Sequence, residues 1–385
     1  MSELDWAYLN RVIEGPSRPL QQLLAAGRDA SEIASGVRTR ASWLGELAGQ
    51  TAARHTFDRM EEDVAAAAAV GARLIAPESA EWPTAEFDRA FGFAATGRSE
   101  HLRSYQADAV PPHALWVRGG PLAPAVAQSV AVVGTRAATR YGLEATRQIA
   151  TGLASHQWTV VSGGALGIDT VAHETALGAG GMSVAVAACG IDRTYPARNA
   201  GLLDRIAASG CVVTEYPPGT PPQRHRFLTR NRLVAALTAG TVIVEAAWRS
   251  GALNTLSWCE GLGRVAMAVP GPVTGAGSLG CHERIKEGRA QLVTGADDIR
   301  ALLGAVGALD VSEQYELAFA ATPVQSLTRN ELRCFDAIEP AGSVAQDIAA
   351  AAGLPLPLAV HLLMELNRRG VVTREGTRWS RADTL

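Results

Sequence analysis

The sequence predicts an α/β chain built on a doubly wound, mostly parallel sheet, with an N-terminal helical domain and a C-terminal winged-helix domain. Three observations predict it. Between residues 129 and 303, short β-branched apolar runs alternate with Ala/Leu-rich stretches, mostly about 15–25 residues long. The runs are near-continuously apolar, as strands covered on both faces are, and do not alternate as a half-exposed sheet does. Residues 323–385 show three helical stretches followed by two short strand-like runs around Gly376.

In chain order, residues 1–71 read as helices. Trp6, Leu9, Val12 and Ile13 recur at helical spacing, Gly15-Pro16 breaks the pattern, and the alanine-rich run Asp63–Val70 ends at Gly71. Residues 72–303 form the sheet domain. Arg73–Pro77 reads as a short strand; residues 78–128 read as irregular, with Trp82-Pro83, Pro111-Pro112 and a strand at Ala114–Val117. The main runs are Val130–Val133, Thr159–Val161, Val184–Ala187, Val212–Thr214, Val242–Val244 and Val265–Val269, an extended Rossmann-like series. Residues 304–322 read as a linker and 323–385 as the winged helix, whose wing is Gly370–Trp379.

The bulk properties exclude several classes. Net charge is −3 and only one of the 35 basic residues is a lysine, Lys286, so any nucleic-acid surface must be local. The five cysteines are scattered and form no CxxC, which fits a reducing compartment without disulfide framework or zinc site. The N-terminus MSELDWAYLN has no signal-peptide pattern, and no apolar run approaches the ~20 residues that span a bilayer. A cytoplasmic chain without metal or cofactor is expected.

In open parallel sheets, ligands bind beyond the carboxyl ends of the strands. Four loops there carry anion-binding chemistry. In the first, Gly134 permits a tight turn, Thr135 adds a hydroxyl, Arg136 a bidentate charge, and the following helix offers backbone N–H groups. Arg136 stands where a dinucleotide fingerprint needs its second glycine, and the next strand ends at Ser162 without a ribose-binding acid; both argue against NAD. The second loop, Ser162-Gly163-Gly164-Ala-Leu-Gly-Ile-Asp169, can form a backbone nest. Asp169 and His173 there read better as structural groups than as ligands. The third, Glu215–Arg232, places Arg224, His225, Arg226, Arg230 and Arg232 beside Phe227, after tandem prolines. Basic groups tracking a backbone beside a ring for base stacking suit a single strand of nucleic acid. Arg230 and Asn231 have a second reading, as buttresses of the neighbouring loops. In the fourth, Ser250 and Gly251 open a helix that can take a further phosphate, and Glu245 is expected to pair with a nearby arginine.

The ordered series GTR…YG, SGGAxGID, GIDRxYPxxN, ExPPGxxPxxxxFxxRNR, VxExxxxSGALxT and VPG resembles the DprA/Smf family, through about residues 72–300. The N-terminal helices resemble that family's sterile-alpha-motif-like or helix-hairpin-helix domain, and the C-terminal unit its optional winged helix. The resemblance implies sequence-independent binding of single-stranded DNA, loading of the recombinase RecA, homodimers through the Rossmann-like domain, a setting in DNA uptake and transformation, and no enzymatic activity. It places Gly134, Thr135, Arg136, Ser162, Gly163, Gly164, Arg224 and Phe227 against DNA; Arg226, Arg230, Asn231, Ser250 and Gly251 complete the expected set. Thr135 stands where serine is commoner, one glycine of a GxG is lost at Ala188-Cys189-Gly190, and Cys281–Ala290 is more polar than the family's stretch there.

Two other functions compete. LOG-type phosphoribohydrolases share a related fold but carry PGGxGTxxE, where this chain has SGALNTLSWCE. A winged-helix transcription regulator would need a basic reading helix, whereas Leu356–Asn367 is mostly apolar and residues 324–385 hold seven arginines against seven acids.

Overall fold

The computed structural model describes residues 3–99, 106–304 and 323–382. The chain divides into two compact units, Met1–Leu309 and Asp310–Leu385, each described by itself.

The first unit is organised by a nine-stranded sheet of order β1-β2-β6-β5-β4-β3-β7-β8-β9. Its strands are β1 (Ala72–Ile75), β2 (Leu115–Gly119), β3 (Ser129–Val133), β4 (Thr159–Ser162), β5 (Ser183–Val186), β6 (Cys211–Thr214), β7 (Gly240–Ile243), β8 (Val265–Ala268) and β9 (Gln291–Leu292). Strands β3 to β9 pair in parallel, while β1 and β2 add an antiparallel edge. The six apolar runs became β3 to β8; all their residues but Ala187 and Val265 are buried, as a sheet packed on both faces requires. From β3 the chain winds outward through β4, β5 and β6, then crosses back to lay β7 on the other side of β3. The topological switch therefore lies between β3 and β7, and a crevice opens beyond their carboxyl ends.

Residues 78–128 are more ordered than the prolines implied. Thr84–Ala95 is a helix, and Leu122–Val126 a short one. Phe87, Ala90 and Phe91 recur at helical spacing and are buried, and Trp82 packs on Phe87 with centroids 5.3 Å apart. The breaker Pro83 sits at the N-cap of this helix, where proline's missing N–H costs nothing. The small strand β9 was also not anticipated; two residues carry too little pattern.

The N-terminal helices are Glu3–Ile13, Arg18–Ala25, Ala30–Thr39, Glu46–Gln50 and Met60–Ala69. Ser17 and Asp29 cap the second and third. These helices lie in the same compact unit as the sheet. Asn10 joins the two: its amide donates to the Glu215 carbonyl and accepts from the Trp116 indole, both at 2.9 Å.

The second unit holds helices Arg329–Asp336, Ala345–Ala352 and Leu356–Arg368, with strands β10 (Ser343–Val344), β11 (Val372–Glu375) and β12 (Arg378–Arg381) in the order β10-β12-β11. Thr328 and Glu331 form a capping box, and Phe335, Ile348, Leu363, Leu366 and Trp379 fill the core. The predicted linker lies outside the described residues except for Gly304.

Two histidines, His113 and His173, are fully buried, and burial pushes both down to about 3, helped by the positive charge of Arg232 and Arg230 respectively. Both stay neutral in the fold, while in the unfolded chain they protonate near pH 6.5. Their contribution is complete above that pH and is lost as pH falls towards 3, at about 1.4 kcal/mol per pH unit for each. Urea unfolding between pH 6.5 and 5 should therefore show a loss that His173→Gln reduces by roughly 2 kcal/mol; an unchanged pH slope would contradict the assignment.

Candidate functional site

A cleft of about 860 Å³ lies at the switch point. Gly134, Thr135, Arg136, Gly163, Arg224, Phe227, Arg230, Asn231, Ser250 and Gly251 all line it. The structure thus brings together ten of the residues singled out above. Gly164 borders a small adjoining recess, and Ser162 and Arg226 point elsewhere.

The first loop is held by backbone. Thr135 N–H donates to the Glu245 carbonyl at 2.7 Å, and Ile168 N–H donates to the Thr135 carbonyl at 3.2 Å. A Cβ on Gly134 would lie 2.5 Å from Ile168, so only glycine fits. The helix after this loop begins at Arg140, and its N-terminus is already capped. Thr139 Oγ1 accepts from Gly142 N–H at 3.2 Å, and Glu245 Oε2 accepts from Thr139 N–H at 2.9 Å. The N–H groups expected to meet a phosphate here, those of Thr139 and Gly142, are therefore taken by side chains, while Arg136 is exposed and lines the cleft. Glu245 is buried and pairs with backbone, correcting the expected arginine partner; a carboxylate is favourable at a helix N-terminus.

The second loop turns inward. Ser162 is fully buried, and its hydroxyl donates to the Val132 carbonyl at 2.7 Å, so it is no surface ligand. Arg230 Nη1 donates to the Gly163 carbonyl at 2.7 Å and also to that of Val186. Asn199 Nδ2 donates to the Gly164 carbonyl at 3.0 Å. Asp169 accepts from Ala165 N–H at 3.3 Å; burial raises its pKa, opposed by the Arg230 charge. Asp169 thus orients the loop. His173 meets Ser183 Oγ at 2.7 Å and joins its helix to β5.

The third loop corrects the apparent density of charge. Arg224–Ala236 is a helix, so its arginines point in different directions. Arg226 is 7% exposed, ion-paired to Glu14 and donating to the Pro221 carbonyl. Arg232 is wholly buried against Glu215. Arg230 clamps the second loop, which supports its reading as a buttress, and Asn231 Nδ2 donates to Asn254 Oδ1 at 3.1 Å. Of the four arginines only Arg224 is exposed. Arg224, Phe227, Leu228 and Asn231, at helical spacing, form the face towards the cleft.

In the fourth loop, Ser250 Oγ accepts from Ala252 N–H at 3.3 Å at the start of helix Ala252–Gly261. Three residues outside the expected set matter here. Arg249 is exposed and lines the cleft; Trp248 beside it is 57% exposed; Tyr195 also lines the cleft. Tyr195 and Phe227 have centroids 5.3 Å apart with planes at 47°, and the Arg136 guanidinium lies 5.6 Å from the Phe227 centroid. An aromatic next to an arginine at Trp248-Arg249 was a legible signal; the Tyr195–Phe227 contact spans 32 residues and was not. The site can therefore offer cations to an anionic backbone and ring faces to flat groups.

Among the described residues, no cluster of three or more His, Cys, Asp or Glu is placed to hold a metal ion, and no single helix is long and apolar enough to cross a membrane. The five cysteines are buried and unpaired.

Residues 68–304 match the family model described as DNA recombination-mediator protein A. The chain is 43% identical over 378 residues to a putative DNA processing protein DprA of Mycobacterium tuberculosis, covering 97% of this chain and 93% of that one. It is 38% identical over 253 residues to protein Smf of Escherichia coli, covering 63% and 64% respectively. The X-ray structure of DNA processing protein A from Streptococcus pneumoniae superposes with a TM-score of 0.63 at 26% identity, over 79% of this chain and 99% of that one. Fold, ordered motifs and these similarities agree: the chain belongs to the DNA recombination-mediator protein A family, also called DprA/Smf.

Proposed function

We propose that this chain binds single-stranded DNA in the switch-point cleft, without sequence preference, and thereby mediates loading of a RecA-type recombinase. One observation carries the binding: the exposed Arg136 guanidinium stands beside the Phe227 ring on the cleft wall. A cation for phosphate next to a π-face for a base is the pairing that holds a single strand irrespective of sequence. Arg224 and Arg249 extend the positive rim. Recombinase loading, action as a homodimer through the Rossmann-like unit, a cytoplasmic setting and a role in DNA uptake rest on membership of the family.

A binding role is favoured over catalysis because Asp169, the carboxylate that lines the cleft, and Glu245, behind the first loop, are both buried and accept from backbone N–H groups. Release of free base from AMP by pure protein, above the level of an Arg224→Ala/Phe227→Ala double variant, would favour the phosphoribohydrolase reading instead. In the second unit, helix Leu356–Arg368 exposes Leu356, Leu358 and Met364, which supports contact with a protein partner over groove reading.

The cleft reading makes three mutational predictions, checked by fluorescence anisotropy with oligo-dT and mixed-sequence strands. Arg136→Ala and Arg224→Ala each weaken binding to all sequences alike. Phe227→Ala costs about 1–3 kcal/mol. Arg226→Ala lowers the unfolding midpoint by removing one of the two arginine partners of Glu14, Arg54 being the other, but leaves the affinity of folded protein unchanged. Wild-type affinity in Arg224→Ala would count against the third loop as a DNA site.

A further inference from the structure

The motif GIDRxYPxxN, residues 190–199, lies outside the expected DNA-binding set, yet it presents Tyr195 to the cleft. The segment is anchored at both ends. Asn199 Nδ2 donates to the Gly164 carbonyl at 3.0 Å and to Thr170 Oγ1 at 2.8 Å. At the other end, Gly190 N–H donates to the Thr220 carbonyl at 2.9 Å, and Asp192 Oδ1 accepts from Gly219 N–H at 2.7 Å. A Cβ on Gly190 would lie 2.6 Å from Asp192 Oδ1 and 2.8 Å from the Pro217 carbonyl, so the two segments meet without a gap. Between the anchors Tyr195 stands exposed, with its ring against Phe227.

The base of that anchor is written in the sequence. Pro217-Pro218-Gly219-Thr220 suits a type II turn, with proline at the second position and a glycine of positive φ at the third. Gly219 has φ +80°, and Thr220 N–H donates to the Pro217 carbonyl at 3.2 Å. The central peptide of this turn, between Pro218 and Gly219, is gripped on both sides. Its carbonyl accepts from Arg11 Nη2 at 2.7 Å, and its N–H goes to Asp192. Arg11 lies on helix Glu3–Ile13 and is itself held by Asp63, Nε to Oδ2 at 2.7 Å. Two charged side chains from distant segments thus share one peptide unit, and hydrogen bonds to charged groups are the stronger kind.

We propose that Asp192 is a positioning residue for the cleft: by holding the Gly219 amide it fixes residues 190–199 on the turn, and so fixes the Tyr195 ring against Phe227. The inference rests on the single-strand reading of the cleft and adds to it the group that places the second ring. Asp192 is exposed and negative, three residues from Tyr195. Its charge works against a polyanion, so its service to the site lies in the bond and not in the charge. A ring held in place before the strand arrives leaves less to be ordered on binding.

The test measures the affinity of the full chain for an oligo-dT strand by anisotropy, with the urea midpoint of each variant reporting its fold. Asp192→Ala should weaken binding by about three- to tenfold, although loss of an acid would by charge alone tighten it. Asp192→Asn, whose Oδ1 can accept the same bond, should bind at wild-type strength or tighter. Tyr195→Ala should weaken binding by about fivefold or more, and adding Asp192→Ala to it should cost nothing further. Wild-type affinity in Asp192→Ala, equal losses in the alanine and asparagine variants, or a full loss from Asp192→Ala in the Tyr195→Ala background would each overturn the proposal. Wild-type affinity in Tyr195→Ala would overturn it too, while the cleft reading would stand if Arg136→Ala still weakened binding. If wild-type protein did not bind the strand, both inferences would fall.

Discussion

The site depends on one buried cation. Arg230 is 5% exposed, and its guanidinium reaches the carbonyls at Gly163 and Val186, beyond β4 and at the end of β5. It therefore locks helix Arg224–Ala236, which carries Arg224 and Phe227, onto the loop that carries Leu166. Burial lowers its pKa, and Asp169 opposes that shift from beneath the same loop. Gly163 makes the approach possible, since a Cβ there would lie 2.5 Å from the guanidinium. Buried charges of this kind stabilise only when their partners are all present, so helix, loop and arginine hold position together or not at all.

This arrangement explains how a chain of net charge −3 can present a cationic surface. Three of the six arginines in and behind the cleft walls direct their charge inward: Arg226 to Glu14, Arg232 to Glu215, Arg230 to carbonyls. They build the walls. Arg136, Arg224 and Arg249 remain exposed to act on a ligand. Under the proposed function, a few exposed cations beside ring faces would hold a strand through short-range contacts, with little of the long-range attraction that a uniformly basic surface exerts.

The parallel sheet was legible because strands buried on both faces write themselves as unbroken apolar runs, as Val130–Val133 does. The two edge strands were also legible, as Arg73–Pro77 and Ala114–Val117, though their antiparallel pairing was not; helix Thr84–Ala95 was missed because prolines flanking that region outweighed the spacing of Phe87, Ala90 and Phe91. In the site, the glycines announced where backbone must turn or approach closely, and Gly134 and Gly163 do so. The fate of each arginine was hidden. Which of Arg224, Arg226, Arg230 and Arg232 faces outward depends on helix phase and on partners such as Glu14, 212 residues away from Arg226 in sequence. Tyr195 escaped notice for the same reason, since it meets Phe227 only through the fold.

The proposed function requires that three exposed cations, Arg136, Arg224 and Arg249, with the rings of Phe227 and Tyr195, select a single strand. The most direct measurement is the affinity of the full chain for a labelled oligonucleotide, single- and double-stranded, across a range of salt. With about three phosphates neutralised per chain, log K against log salt for the single strand should fall with a slope near about −2, and the single strand should bind more tightly than duplex throughout. Equal or tighter duplex binding, or a slope near zero, would contradict the account.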